Sequence, residues 1–169
     1  YIYVVNYINM PKDDFIKELG YLGITTRFKR ISDMLMHDGK KMYSALKIDI
    51  EPNWFVVFKL LKARGPLGVT EIADHIGMAH PSVITLVNKM IASGYLNSGK
   101  DEKDSRKRVL GLSNKALTKL PEYEKIWKMG EKVMAELLEE NNTLEVIASL
   151  EEKLFAKGFK ERMLEELNA

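Results

Sequence analysis

The chain has 169 residues, 46% apolar and 30% charged, with a net charge of +2 and no cysteine. That length suits one domain, or a small domain with helical extensions, and the composition is that of a globular chain rather than a disordered or collagen-like one. The lack of cysteine excludes disulfides, thiolate metal sites and thiol redox sensing, and no apolar run approaches the roughly 18–20 residues that a membrane span needs.

Tyr1–Ile8 is apolar but lacks a basic leader and a small-residue cleavage site, so it does not read as a signal peptide, and cytoplasmic residence is expected. Residues 1–11 read as an extension, with Met10 a candidate natural start. From Lys12 to about Met36, Phe15, Leu19, Leu22, Phe28, Ile31 and Leu35 recur at the three- and four-residue steps of an amphipathic helix. Gly20 and Gly23 weaken that helix without ending it; Asp38-Gly39 predicts its end, and Lys40–Lys47 reads as a linking stretch. Pro52 and Asn53 open a helix carrying Trp54, Phe55, Val57, Phe58, Leu60 and Leu61, which stops at Arg64-Gly65-Pro66. Leu67–Val69 predicts a short strand.

Gly68 to Ser113 is the most informative stretch. Val69, Ile72, Ala73 and Ile76 mark a short helix with Thr70 near its start, and Gly77 closes it. After Met78-Ala79-His80 a second helix opens with Pro81 in its first turn, carries Val83, Leu86, Val87, Met90 and Ile91, and ends at Gly94. Two short helices joined by a tight turn are the arrangement that lays a recognition helix in the DNA major groove. Tyr95-Leu96-Asn97 and Val109, Leu110 and Leu112 then predict a β-hairpin with a charged tip, Lys100-Asp101-Glu102-Lys103-Asp104-Ser105-Arg106-Lys107-Arg108. An arginine-bearing hairpin after a helix-turn-helix is a wing, suited to the negative potential of a narrow minor groove.

On these residues the segment resembles the MarR family of bacterial transcription regulators, whose wing runs Asp, a few residues, Asp-Arg-Arg, a variable pair, valine, and Leu-Thr or Leu-Ser. The matching residues are Asp101, Asp104, Arg106, Val109, Leu112 and Ser113. Ser105 stands where many members carry a first arginine, and Thr85 where many carry an arginine in the recognition helix. The fold class expected is mainly α with a small β-hairpin: a winged helix-turn-helix between N- and C-terminal dimerisation helices.

Beyond the wing, Ser113 is a candidate N-cap for a long helix with Ala116, Leu117, Leu120, Tyr123, Trp127, Val133, Met134, Leu137 and Leu138 in register. Pro121 is expected to kink it. Asn141-Asn142 breaks the pattern, Thr143 caps a last helix, and Gly158 is read as a bend within it. The division expected is 12–50 for the N-terminal helix and linker, 52–113 for the winged helix-turn-helix, and 114–169 for the C-terminal helices. Charge follows that division. Residues 53–119 hold eleven Lys/Arg against five Asp/Glu, and residues 120–169 hold seven against twelve. The basic excess therefore falls on the segment that would meet phosphate.

The candidate DNA-binding residues are His80, Pro81, Ser82, Thr85, Asn88 and Lys89 on the recognition helix and Lys103, Asp104, Arg106 and Arg108 on the wing. Serine and threonine hydrogen-bond to bases or phosphates, and Ala79 or Pro81 can meet a thymine methyl. By the resemblance, Arg106 enters the minor groove and Asp104 holds the tip's shape. Lys89, Lys100, Lys103 and Lys115 are candidate phosphate contacts. The resemblance implies a homodimer on a pseudo-palindrome of double-stranded DNA, repression by promoter occupancy, and release by a small aromatic or phenolic effector. Candidate pocket residues are Tyr21, Met36, Met42, Tyr43, Trp54 and Phe58, each of which, taken singly, reads more readily as ordinary core than as pocket wall. No cofactor, catalytic residue or metal ligand is assigned: no phosphate-cradling glycine loop, nucleophile elbow or HExxH sequence appears, and His37, His75 and His80 are scattered. The alternatives are a winged helix used for protein interaction and a metal-responsive regulator.

Overall fold

The computed structural model describes residues 12–100, 108–138 and 142–169. Its elements are α1 (Phe15–Glu18), a 3-10 turn (Gly20–Gly23), α2 (Ile24–Ala45), a 3-10 turn (Pro52–Trp54), α3 (Phe55–Arg64), α4 (Val69–Ile76), α5 (His80–Ala92), β1 (Leu96–Lys100), β2 (Arg108–Leu112), α6 (Asn114–Leu138), α7 (Thr143–Ala156) and α8 (Phe159–Asn168). They fall into two compact units, Tyr1–Ala116 and Leu117–Ala169. Among the described residues, no helix is long and apolar enough to cross a membrane.

The core of the first unit lies among α3, α4, α5 and the hairpin. Val57, Phe58, Ile72, Val83, Val87, Met90, Tyr95 and Leu110 are fully buried there. Helix α4 starts with the Glu71 carboxylate accepting the Gly68 N–H at 2.7 Å, which satisfies one orphan donor of the first turn. Its end needs a left-handed residue, and Gly77 supplies φ 69°. Helix α5 ends likewise: Gly94 has φ 76°, its N–H bonds Ile91 O, and the Tyr95 N–H reaches back to Met90 O. This turn drives Tyr95 into the core and aims the chain along β1.

Strands β1 and β2 pair antiparallel from Leu96 opposite Leu112 to Lys100 opposite Arg108. The strand expected at Leu67–Val69 is narrower in the structure. Only Leu67 bridges to Leu110, because Val69 already belongs to α4. Ser113 is buried; its hydroxyl donates to Gly94 O at 2.7 Å and accepts the Ala116 N–H at 3.1 Å. It therefore closes α5 and opens α6 with one side chain. Ser113→Ala strands both groups and is expected to lower stability by about 1–2 kcal/mol in urea unfolding.

Three sequence expectations are corrected in the helices. The first helix is interrupted: the 3-10 turn at Gly20–Gly23 separates α1 from α2. A bidentate pair, Arg30 to Asp14 at 3.0 and 2.8 Å, clamps the two together. The hydrogen bonds from Arg30 hold the Asp14 carboxyl below its ordinary pKa, and the same pairing raises that of Arg30. The clamp is thus intact at neutral pH and is lost as pH falls through the lowered Asp14 value.

Secondly, Asp38-Gly39 does not stop α2, which runs on through the predicted linker to Ala45. Gly39 instead permits close packing: a Cβ there would lie 3.1–3.2 Å from the Pro52 ring. The true stop carries no glycine. Lys47 takes φ 55°, with its N–H bonded to Ser44 O and the Ile48 N–H to Tyr43 O. That is the hydrogen-bond pattern of a glycine-type helix end, built on lysine.

Thirdly, Gly158 is no bend within one helix. The chain leaves α7 at Ala156 and restarts as α8 at Phe159.

In the second unit α6 continues through Pro121, with the Tyr123 and Trp127 rings 6.0 Å apart along it. Helices α7 and α8 contain no buried residue, and Leu144, Val146, Phe155, Phe159 and Leu167 are all well exposed.

Candidate nucleic-acid interface

Helix α5 buries one stripe, Val83, Leu86, Val87 and Met90, against the core. The 3.6-residue period then turns Pro81, Thr85 and Asn88 directly outward. His80, Ser82, Ile84 and Lys89 lie on the two flanks, all exposed. The flanks differ. On one, His80 Nε2 lies 3.3 Å from the Thr70 hydroxyl of α4. On the other, Lys89 donates to the Glu51 carboxylate at 3.0 Å, and Ser82, Thr85 and Lys89 line a cavity of about 300 Å³ with Glu51, Asn53, Trp54 and Met78. The Asn53 Oδ1 is buried there with no hydrogen-bond donor among the described residues.

The outward hydroxyl of Thr85 donates to Pro81 O at 3.0 Å, so only its acceptor lone pairs remain for a ligand. Lys115, nominated as a phosphate contact, is held otherwise. Its ammonium bonds Asp49 at 2.7 Å and Ser93 O at 3.1 Å and sits 4.1 Å from the Tyr95 ring centre. Two of the four candidate phosphate lysines are therefore engaged within the chain. Sequence reading missed both acidic partners because they lie 38 and 66 residues away.

At the hairpin, Lys100 and Arg108 face each other across the last described pair. The Arg108 Nε donates to the Ser98 hydroxyl at 2.6 Å, laying the guanidinium along the sheet. Lys103, Asp104 and Arg106 lie outside the described residues.

Residues 48–107 match the model of the MarR family. This segment is a MarR-type winged helix. No curated protein matches the chain by sequence. Among solved structures, it is similar to a MarR/EmrR family transcriptional regulator from Acinetobacter sp. ADP1, at 18% identity over 79% of this chain and 95% of that one, with a TM-score of 0.67. It is also similar to S. aureus MepR in a DNA complex, at 19% identity, 78% and 96% coverage and a TM-score of 0.62. A third is the transcriptional repressor CouR bound to a 23-mer DNA duplex, at 23% identity, 78% and 94% coverage and a TM-score of 0.60. At these identities the likeness is one of fold.

Within the MarR segment and the helices before it, the six candidate effector residues do not share one environment. Tyr43, Trp54 and Phe58 are buried, Met36 is half-buried, Met42 is exposed, and Tyr21 is 95% exposed. The cavity beside α5 takes only Trp54 of the six. Among the described residues no three of His, Asp and Glu gather where they could hold a metal ion.

Proposed function

We propose that the chain is a sequence-specific, double-stranded-DNA-binding transcriptional regulator, not an enzyme. It acts in the cytoplasm as a homodimer that represses by occupying a pseudo-palindromic operator. The observation that carries this reading is the match of residues 48–107 to the MarR family, on a segment whose α5 turns its polar side to solvent beside a basic hairpin. Ser82, Thr85 and Asn88 meet base edges; His80 and Lys89, which must first leave Thr70 and Glu51, meet phosphate and not base. Lys103, Asp104, Arg106 and Arg108 make up the wing contact.

Dimerisation is supported by the apolar surface at both ends of the chain. Phe15, Leu19, Leu22, Phe28, Ile31 and Leu35 are exposed in the N-terminal helices, as are the apolar rows of α7 and α8. Short helices with no buried residue gain their stability from packing, and a second copy offers the same apolar faces in return. Two recognition helices related by a two-fold axis would read half-sites about 10 base pairs apart. A small aromatic effector, with Tyr21, Met36, Met42, Tyr43, Trp54 and Phe58 as candidate contacts, acts by binding the DNA-incompetent geometry more tightly, since equal affinity for both geometries shifts nothing.

Selection of bound duplexes from a random pool, followed by affinity measurement against salt, tests the reading. Two phosphate contacts already predict about a tenfold loss between 50 and 200 mM salt. Enrichment of no duplex, or salt-independent capture, would point to a protein-interaction module instead.

A further inference from the structure

Ile84 stands out on α5. It lies at mid-helix on a flank of the outward face, one turn from His80 and one turn from Asn88, and keeps 38% of its surface exposed. The inward stripe, Val83, Leu86, Val87 and Met90, is buried, whereas Ile84 on the flank keeps part of its side chain open to a partner. An isoleucine adds nothing to solubility or to helix propensity at such a position.

Its polar neighbours narrow what it can meet. Thr85 gives its hydroxyl proton to Pro81 O, His80 is engaged with Thr70, and Lys89 with Glu51. Among the described residues, no hydrogen bond holds the Asn88 amide. The outward surface of α5 therefore presents an apolar branched side chain beside an open carboxamide and carries no arginine. The major-groove edges that match these two groups belong to one kind of base pair. The carboxamide pairs with the N6 and N7 of adenine, and an apolar side chain packs on the C5-methyl of thymine, whereas guanine reading relies chiefly on arginine or lysine. Ile84 and Asn88 are about 6 Å apart along the helix axis, which places their contacts on adjacent or next-adjacent base pairs.

We propose that Ile84 is a specificity-determining residue that reads the C5-methyl group of a thymine in the major groove, with Asn88 on an adenine one or two steps away. The centre of each half-site is then built of A·T pairs. This rests on the DNA-binding reading above and deepens it.

The test uses the full-length chain and a duplex enriched by selection. Each thymine of a half-site is replaced in turn by deoxyuridine, which keeps the hydrogen-bonding edge and removes only the methyl group. One position per half-site is expected to lose about threefold or more in affinity, the worth of one buried methyl. Ile84→Ala, whose fold is checked by its thermal transition, is expected to bind the thymine and deoxyuridine duplexes equally at that position. Uniform tolerance of deoxyuridine by the unaltered protein overturns the assignment. So does a penalty that persists undiminished in Ile84→Ala. Failure to enrich any duplex overturns instead the DNA-binding reading on which it stands.

Discussion

Tyr95→Ala is expected to lower the unfolding free energy by about 3–5 kcal/mol, the range for truncating a large aromatic in a core. Tyr95 has no exposed surface. Its ring meets Trp54 edge-on at 5.8 Å and Phe58 at 5.5 Å, and Lys115 caps it. Its hydroxyl donates to the Asp49 carboxylate. A domain of this size holds a margin of about 5–15 kcal/mol, so the loss is a large part of the whole. Tyr95→Phe separates the two contributions. It keeps the ring and removes the hydroxyl, while Asp49, whose side chain is 59% exposed, takes water in its place; about 1 kcal/mol is expected. Urea unfolding of both variants checks this. Equal losses for Ala and Phe would mean that the hydrogen bond, and not the packing, dominates. Because Tyr95 joins the end of α5 to the start of β1, Tyr95→Ala is also expected to loosen the wing relative to the recognition helix.

Arg106→Ala is expected to weaken operator binding at least tenfold, about 1.4 kcal/mol. The charge distribution carries the argument. Residues 100–108 bring together Lys100, Lys103, Arg106, Lys107 and Arg108 against Asp101, Glu102 and Asp104. On the recognition helix, by contrast, Thr85 takes the position of the usual arginine and Lys89 is paired with Glu51. The wing is then the main source of cationic contact, and a minor groove narrow enough to favour arginine concentrates its effect. The measurement is affinity for a selected duplex at fixed salt. Unchanged binding in Arg106→Ala removes the wing tip from the interface. Arg108→Ala is the useful comparison, since its guanidinium is already bonded to Ser98, and a smaller loss is expected.

What could be read without a structure was what depends on neighbours along the chain. The apolar period of α4 and α5, the left-handed closures at Gly77 and Gly94, the capping serine at 113 and the basic excess of residues 53–119 are all properties of a few adjacent residues or of composition. So is the wing pattern that resembles the MarR family's. The errors arose where a local signal had a distant cause. Gly39 looked like a helix end, but its missing side chain serves the approach of Pro52. The real end at Lys47 carries no local signal, because a lysine there takes the left-handed conformation where glycine is usual, closed by the Ile48 N–H bonding back to Tyr43 O.

The site divides the same way. That Lys89 and Lys115 are positive is written in the sequence; that Glu51 and Asp49 hold them is decided by contacts across 38 and 66 residues. Likewise Ile84 is one more apolar residue in an apolar helix until the fold turns Val83, Leu86, Val87 and Met90 inward and leaves it outside. Residue type and local period determine which side chains are present and how each helix begins and ends. Only the packing of one element on another determines which of those side chains are buried, which are already paired, and which remain on the surface to meet a partner.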